Sequence, residues 1–266
     1  MLRGSVSPYG REGSPMKLAV IGRNSAELKK KLEHRDVILC EPGDADVILA
    51  YGGDGTLLEA EREYPRILKY PIRDVETAPL CHKHAIDGQL DHFFAGKLKH
   101  SRLFRLEGRF GENVLYAMND IFIHNRNNAS ALRYKIWIDG ELYSHEIVGD
   151  GVGVATVHGS TAYFRSITHS VFRVGIGLAF SNSTELVNHL VLPESSVIRV
   201  KINRGPGEIV ADNFRLPEPM NVGDECVIRL SEDASEFLGL DVFMCPVCRR
   251  LRHRYRRSIF NPEDPK

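Results

Sequence analysis

The sequence predicts an α/β protein in two parts: an N-terminal, mainly parallel sheet with flanking helices, then an antiparallel β-rich domain. Three observations predict it. Over roughly the first hundred residues, short apolar runs alternate with helix-like segments, the order expected of a parallel sheet with helices on its faces. Beyond residue 100 the apolar runs shorten, alternate with polar residues and are punctuated by turn signals. Between two of those runs stands Asp139-Gly140, a strong two-residue hairpin signal.

The elements follow in order. Residues 1–15 are rich in Gly, Ser, Pro and charge and read as a tail outside the fold. Lys17 to Ile21 is an apolar strand, Asn24 or Ser25 an N-cap, and Ala26 to Glu33 a short helix. Val37 to Cys40 and Val47 to Ala50 are strands, and a glycine turn leads to a helix from about Thr56 to Glu63. A helix-like segment covers Leu90 to Leu98, completing an α/β domain over 16–100. The β-rich domain, 101–245, contains Leu103 to Leu106, Val114 to Ala117, Ile121 to His124, Leu132 to Ile138 and Leu142 to Ile147. Val197 to Ile202, Gly207 to Val210 and Cys226 to Leu230 continue the pattern. Residues 246–266 form a basic segment whose arginine run, 249–257, either packs back on the first domain or is solvated.

Composition narrows the function classes. With 42% hydrophobic and 26% charged residues and a formal net charge of zero, the chain lacks the basic excess of a nucleic-acid binder. A small molecule is the expected partner. Five cysteines, an odd number scattered along a chain with no apolar leader, point to a reducing, cytoplasmic setting. No stretch approaches the roughly 18 apolar residues of a membrane span.

The chemistry concentrates at Tyr51-Gly52-Gly53-Asp54-Gly55-Thr56, directly after the apolar run 46–50. Glycines at a strand end let backbone N–H groups approach a polyphosphate, and the following helix adds its positive N-terminal dipole. A carboxylate inside such a loop would repel phosphate, so Asp54 reads as a base or a magnesium partner. The competing reading, a helix cap, does not call for glycines on both sides. Elsewhere, Cys81, His82 and His84 offer donor atoms at short spacing, as do Cys245-Pro-Val-Cys248 and His253. Neither set completes a four-ligand zinc site alone, so no metal ligands are assigned, and thiols and solvated histidines are expected unless folding joins the clusters.

The Gly52-Gly53-Asp54-Gly55-Thr56 loop resembles the donor loop shared by NAD kinases, diacylglycerol and sphingosine kinases and, more distantly, phosphofructokinases. Further on, Gly149-Asp150-Gly151 and then Thr156-Val-His-Gly-Ser-Thr-Ala-Tyr163 resemble the NAD kinase signature. Between them Asn119-Asp120 is similar to the Asn-Glu pair that this family uses on its acceptor nucleotide, and Leu190 to Ile198 looks like its later core strand. Where the family carries a second glycine-rich stretch, this chain has Arg66 to Asp74, so that wall must be built differently.

The resemblance implies phosphorylation of the adenosine 2′-hydroxyl of NAD by ATP or polyphosphate with Mg²⁺, giving NADP, in homodimers or homotetramers with the active site between the domains. It implies Asp54 as base. Gly52, Gly53, Gly55 and Thr56 would meet phosphate. Asn119, Asp120 and Asp150 would hold the adenine or sugars, and Thr161, Ala162, Tyr163 and Ser166 would line the dinucleotide pocket. For Tyr163, an aromatic face for a base competes with simple packing. Two alternatives stand beside this reading: a dinucleotide-binding sensor with weak catalysis, and a related kinase acting on a lipid or sugar hydroxyl.

Overall fold

The structure, a computed structural model, describes Tyr9 and residues 14–74, 76–77, 81–127 and 129–247. The expectations for the opening tail, Cys248, His253, the side chain of His82 and the arginine run 249–257 lie outside the described residues. The chain divides into two compact units, one of Met1–Arg102 with Ser235–Lys266, the other of Leu103–Ala234.

The first unit is built on parallel strands. β1 (Met16–Ile21), β2 (Val37–Leu39), β3 (Val47–Tyr51) and β4 (Leu68–Ile72) lie in the order β2-β1-β3-β4, and Phe237, near the chain's last strand end, pairs in parallel with Lys69 of β4. Every residue of β3 is buried, the texture of a strand covered on both faces. α1 (Ser25–Leu32) packs through Leu28 and Leu32, one turn apart, with Glu27 in its first turn and Lys29, Lys30 and Lys31 in its last, matching the helix dipole. α2 (Asp54–Glu63) buries Leu57, Leu58 and Ala60. α3 (Ile86–Phe94) buries Ile86, Leu90 and Phe93 and ends before Gly96, whose φ of 65° suits the left-handed residue that closes a helix. The expected helix over 90–98 therefore begins and ends four residues earlier.

The second unit is antiparallel. Its strands are β5 (His100–Phe110), β6 (Asn113–Ala117), β7 (Asp120–Asn125), β8 (Leu132–Ile138), β9 (Glu141–Gly149), β10 (Gly151–Ala155), β11 (Ile176–Ser181), β12 (His189–Leu192), β13 (Ile198–Arg204), β14 (Gly207–Ala211), β15 (Glu218–Met220) and β16 (Glu225–Leu238). One sheet runs β12-β11-β10-β7-β14-β15; in the other, β13 lies between β8 and β16, β9 pairs with β8, and β5 pairs with β16 and β6. Their apolar faces share a core that includes Ile121, Ile136, Val152, Leu178 and Val200. Asp139 and Gly140, at φ 54° and 85°, form the expected tight turn between β8 and β9. The segment 190–198 is not one strand: β12 stops before Pro193, and β13 starts at Ile198. β16 reaches eight residues past the expected Leu230, so its last residues belong to the first unit.

Candidate functional site

In the first unit, β3 delivers the chain to the glycine loop. Gly52 is buried, and a Cβ there would lie 2.4 Å from Thr56 Oγ1, so the loop folds back on its own helix only without a side chain at this position. Gly53 is the N-cap and makes no side-chain cap bond. Asp54 is thus the first helical residue and not the cap, and its side chain is 53% exposed.

A group that the sequence reading missed fixes that carboxylate. Arg73, directly after β4, is 2% exposed and donates from Nη2 to Asp54 Oδ1 at 3.0 Å. Its Nε donates to the Phe243 carbonyl at 2.9 Å, and its guanidinium lies 4.0 Å from the centroid of the Phe243 ring. Phe243 belongs to α5 (Leu240–Phe243), which follows β16. A planar cation held on two sides presents its remaining N–H in one direction, which a lysine could not do. Beyond it, Asp74 accepts from Asn24 Nδ2 at 3.2 Å and from the Thr77 N–H and hydroxyl at 2.9 and 2.7 Å. The segment Arg66 to Asp74, which stands where the family pattern has a second glycine-rich stretch, thus ends in this arginine and this Asx-type turn. No sequence signal marked Arg73, because the strand that precedes it was not recognised; only the fold shows it at the carboxyl end of β4, where ligands of open α/β sheets bind.

The second unit gathers the other predicted residues around the turn before β7. Asp212, at φ 51°, accepts the N–H groups of Met118, Asn119 and Asp120 at 2.8, 2.7 and 3.2 Å. The Asn119 carbonyl accepts from Thr156 N–H at 2.8 Å, and Thr156 Oγ1 donates to the Met118 carbonyl at 2.6 Å. Gly159 packs against the same turn: a Cβ there would lie 2.0 Å from the Asn119 oxygen. The signature glycine is therefore required by a backbone contact within the protein.

Asp120 is 6% exposed. Burial, and then the charge of Asp212, push its carboxyl up to about 8, against a hydrogen bond from the Tyr163 backbone. Tyr163 opens α4 (Tyr163–Thr168), and its ring lies 4.7 Å from that of Phe122 and 5.5 Å from that of His124. Burial lowers the His124 pKa and raises that of Tyr163. Phe122 lies over Gly153, where a Cβ would come within 2.4 Å of the ring.

Asp150 is exposed and accepts from Asn182 Nδ2 at 2.9 Å. Together with Tyr163, His124, Asn125, Ser181 and Asn182 it lines an open, polar cleft of about 520 Å³. The structure thus brings Asp150 and Tyr163 to one cleft, with Asp120 bonded to the Tyr163 backbone and Asn119 packed against Thr156 and Gly159. Thr161 and Ala162 occupy the turn before α4, Thr161 Oγ1 reaching the His158 carbonyl at 3.5 Å, and Ser166 is exposed on α4. These three do not line that cleft. His124, Asn182 and Asp212 were not anticipated; only Asp212 carried a signal, an Asp-Asn turn after an apolar strand.

No protein-family model matches the chain. Its sequence is similar to that of the NAD kinase of Methanothermobacter thermautotrophicus, 29% identical over 210 residues, which are 74% of this chain and 72% of that protein. Its fold is similar to that of yeast NADH kinase complexed with NADH, at a TM-score of 0.72 and 20% identity over 86% of this chain and 84% of that one. An NAD kinase from Archaeoglobus fulgidus in complex with ATP has the same fold at a TM-score of 0.68 and 21% identity, over 91% of this chain and 99% of that one.

Proposed function

This chain belongs to the NAD kinase family, and from that premise we propose that it transfers a phosphoryl group from ATP or polyphosphate to the adenosine 2′-hydroxyl of NAD, giving NADP. The observation that carries the reading is the bond from buried Arg73 to Asp54, which anchors one carboxylate oxygen in a glycine loop and leaves Oδ2 to take the proton of the attacking hydroxyl. Phosphoryl transfer asks mostly for alignment and charge neutralisation, so holding that oxygen in place is the main task of the loop. Backbone N–H groups around Gly53 and Gly55, at the start of α2, suit the phosphates, while Thr56, whose N–H donates to the Gly53 carbonyl, offers its hydroxyl.

Mg²⁺, which supplies charge neutralisation on the transferring phosphates, is usually held by one or two carboxylates plus those phosphates. Both oxygens of Asp74 already accept hydrogen bonds, and Asp54 has Oδ1 on Arg73 and Oδ2 assigned to the hydroxyl proton, so the ion would rest mainly on the nucleotide phosphates and water. For the acceptor, Asp150 and Tyr163 suit a sugar and a base in the polar cleft. Below its pKa of about 8, Asp120 is a neutral carboxyl that donates as well as accepts. Asn119, Thr161, Ala162 and Ser166 do not line the polar cleft, and any contact they make would be with parts of the dinucleotide that extend beyond it. Among the described residues no helix is long and apolar enough to cross a membrane, and Cys40, Cys81, Cys226 and Cys245 form no disulfide. The setting we assign is cytoplasmic, with homodimers or homotetramers as the working form.

The test is to incubate the full chain with NAD, ATP and Mg²⁺ and to assay NADP with an NADP-specific cycling enzyme, repeating with polyphosphate and with NADH. Turnover to NADP is expected. Tight NAD binding without product, under every donor, would overturn the kinase reading in favour of a dinucleotide sensor.

A further inference from the structure

Two short pairs in this sequence share one spacing, Cys81-x-x-His84 and Cys245-x-x-Cys248, which is the spacing by which zinc sites recruit ligands from one turn of chain. Although 164 residues separate Cys81 from Cys245, their sulfurs lie 4.0 Å apart. The ligand atoms of Cys81, His84 and Cys245 all fall within 4.8 Å of one another. All three residues are buried, at 6%, 6% and 4% exposure. Here the structure departs from the expectation of solvated histidines and separate thiols: His84 is inside, among sulfurs.

We propose that Cys81, His84 and Cys245 are ligands of one structural Zn²⁺. Geometry separates this from the alternatives. Tetrahedral zinc with sulfur at about 2.3 Å sets two ligand sulfurs about 3.8 Å apart, close to what is seen, whereas a disulfide would need them at about 2.05 Å. Simple apolar packing accounts for two thiols beside Val247, but not for a histidine whose ligand nitrogen falls within 4.8 Å of both sulfurs, the spacing of donors about one ion. Thiolate and imidazole together select a borderline-soft ion over Mg²⁺ or Ca²⁺.

Local backbone structure presents the ligands. The His84 N–H donates to the Cys81 carbonyl at 2.9 Å, closing the turn that holds the first pair, and Gln89 Nε2 donates to the His84 carbonyl at 2.9 Å. The Cys245 N–H donates to the Val242 carbonyl at 3.1 Å, so the second pair follows directly on α5. Such an ion would tie the end of α5, whose Phe243 carbonyl anchors Arg73, to the segment that follows β4. It would act as a staple within the first unit, and its presence does not depend on which reaction the protein catalyses.

The experiment is metal analysis of the full chain purified without chelator, with cobalt substitution as an optical probe. About one zinc per chain is expected, and cobalt should give the intense visible bands and the sulfur-to-cobalt charge transfer of a tetrahedral thiolate site. Cys245→Ser should lower the charge-transfer intensity by about half, because one of the two assigned thiolates is lost, while Cys226→Ser, a buried thiol of the second unit, should leave it unchanged. Cobalt binding by the wild-type chain needs no variant to fold. Wild-type protein that carries almost no zinc after dialysis against it, and gives no tetrahedral cobalt spectrum, would overturn the proposal, as would a spectrum untouched by Cys245→Ser.

Discussion

Replacing Asp120 by Asn should make the second unit more stable as pH rises, and the size of the effect follows from where that carboxyl sits. Folded, it titrates near about 8, because it is buried and faces Asp212; unfolded, it titrates at the ordinary value of 3.8. Between those values the folded chain holds a proton that the unfolded chain has released. Stability therefore falls with rising pH, by about 1.4 kcal/mol per unit for one proton. The contribution of the protonated group is complete below the unfolded value and lost as pH climbs to the folded one. Across two units of that window the cost is on the order of 3 kcal/mol. Asparagine is neutral throughout and can still accept the Tyr163 N–H, so the variant escapes the loss. Trp137, the single tryptophan, lies in β8 of the same unit and reports its urea unfolding by fluorescence. Variant minus wild type should be smallest near pH 4, grow steadily and level off above pH 8. A difference that does not change with pH would refute the reasoning, because it would mean Asp120 is ionised in the folded protein.

Lys69 is fully buried, with Nζ 2.5 Å from Glu61 Oε2. Lys69→Met should cost about 3–5 kcal/mol in thermal or urea unfolding by stranding the glutamate, and adding Glu61→Leu should recover most of it. Gly159→Ala would press a methyl group onto the Asn119 carbonyl, so KM for NAD should rise by about tenfold or more while nucleotide-donor KM changes little. Arg73→Lys keeps the charge but cannot reach both the Phe243 carbonyl and Asp54; kcat should fall about 10- to 100-fold with NAD affinity retained, as measured by initial rates and calorimetry.

Much of the frame was readable because local pattern and burial agree there. The five apolar residues of β3, the i, i+4 leucines of α1 and the Asp139-Gly140 turn all mean in the fold what they mean in isolation. β4 was not readable, since Lys69 and Pro71 interrupt it; a lysine can occupy a buried strand here only because Glu61 of α2 neutralises it. The far end of β16 was hidden in the acidic segment 231–236, and its parallel pairing with β4 is a contact across the length of the chain. The motifs pointed to the glycine loop and to Asp150 and Tyr163, which share a cleft, but not to the groups that position them. Arg73 depends on Phe243, 170 residues away, and Asp212 on a turn more than 90 residues before it. Such pairings leave no trace in spacing or periodicity. The same holds for Cys81 and Cys245, each half of a pair that is incomplete until the fold closes.

The most direct measurement is single-turnover phosphoryl transfer to NAD by the wild type and by Asp54→Asn, with NAD affinity measured on both. If Asp54 takes the hydroxyl proton, the variant should bind NAD as the wild type does and form NADP about 100- to 10,000-fold more slowly. A variant that transfers at the wild-type rate would contradict that role and, with it, the mechanism built on Arg73 and the glycine loop.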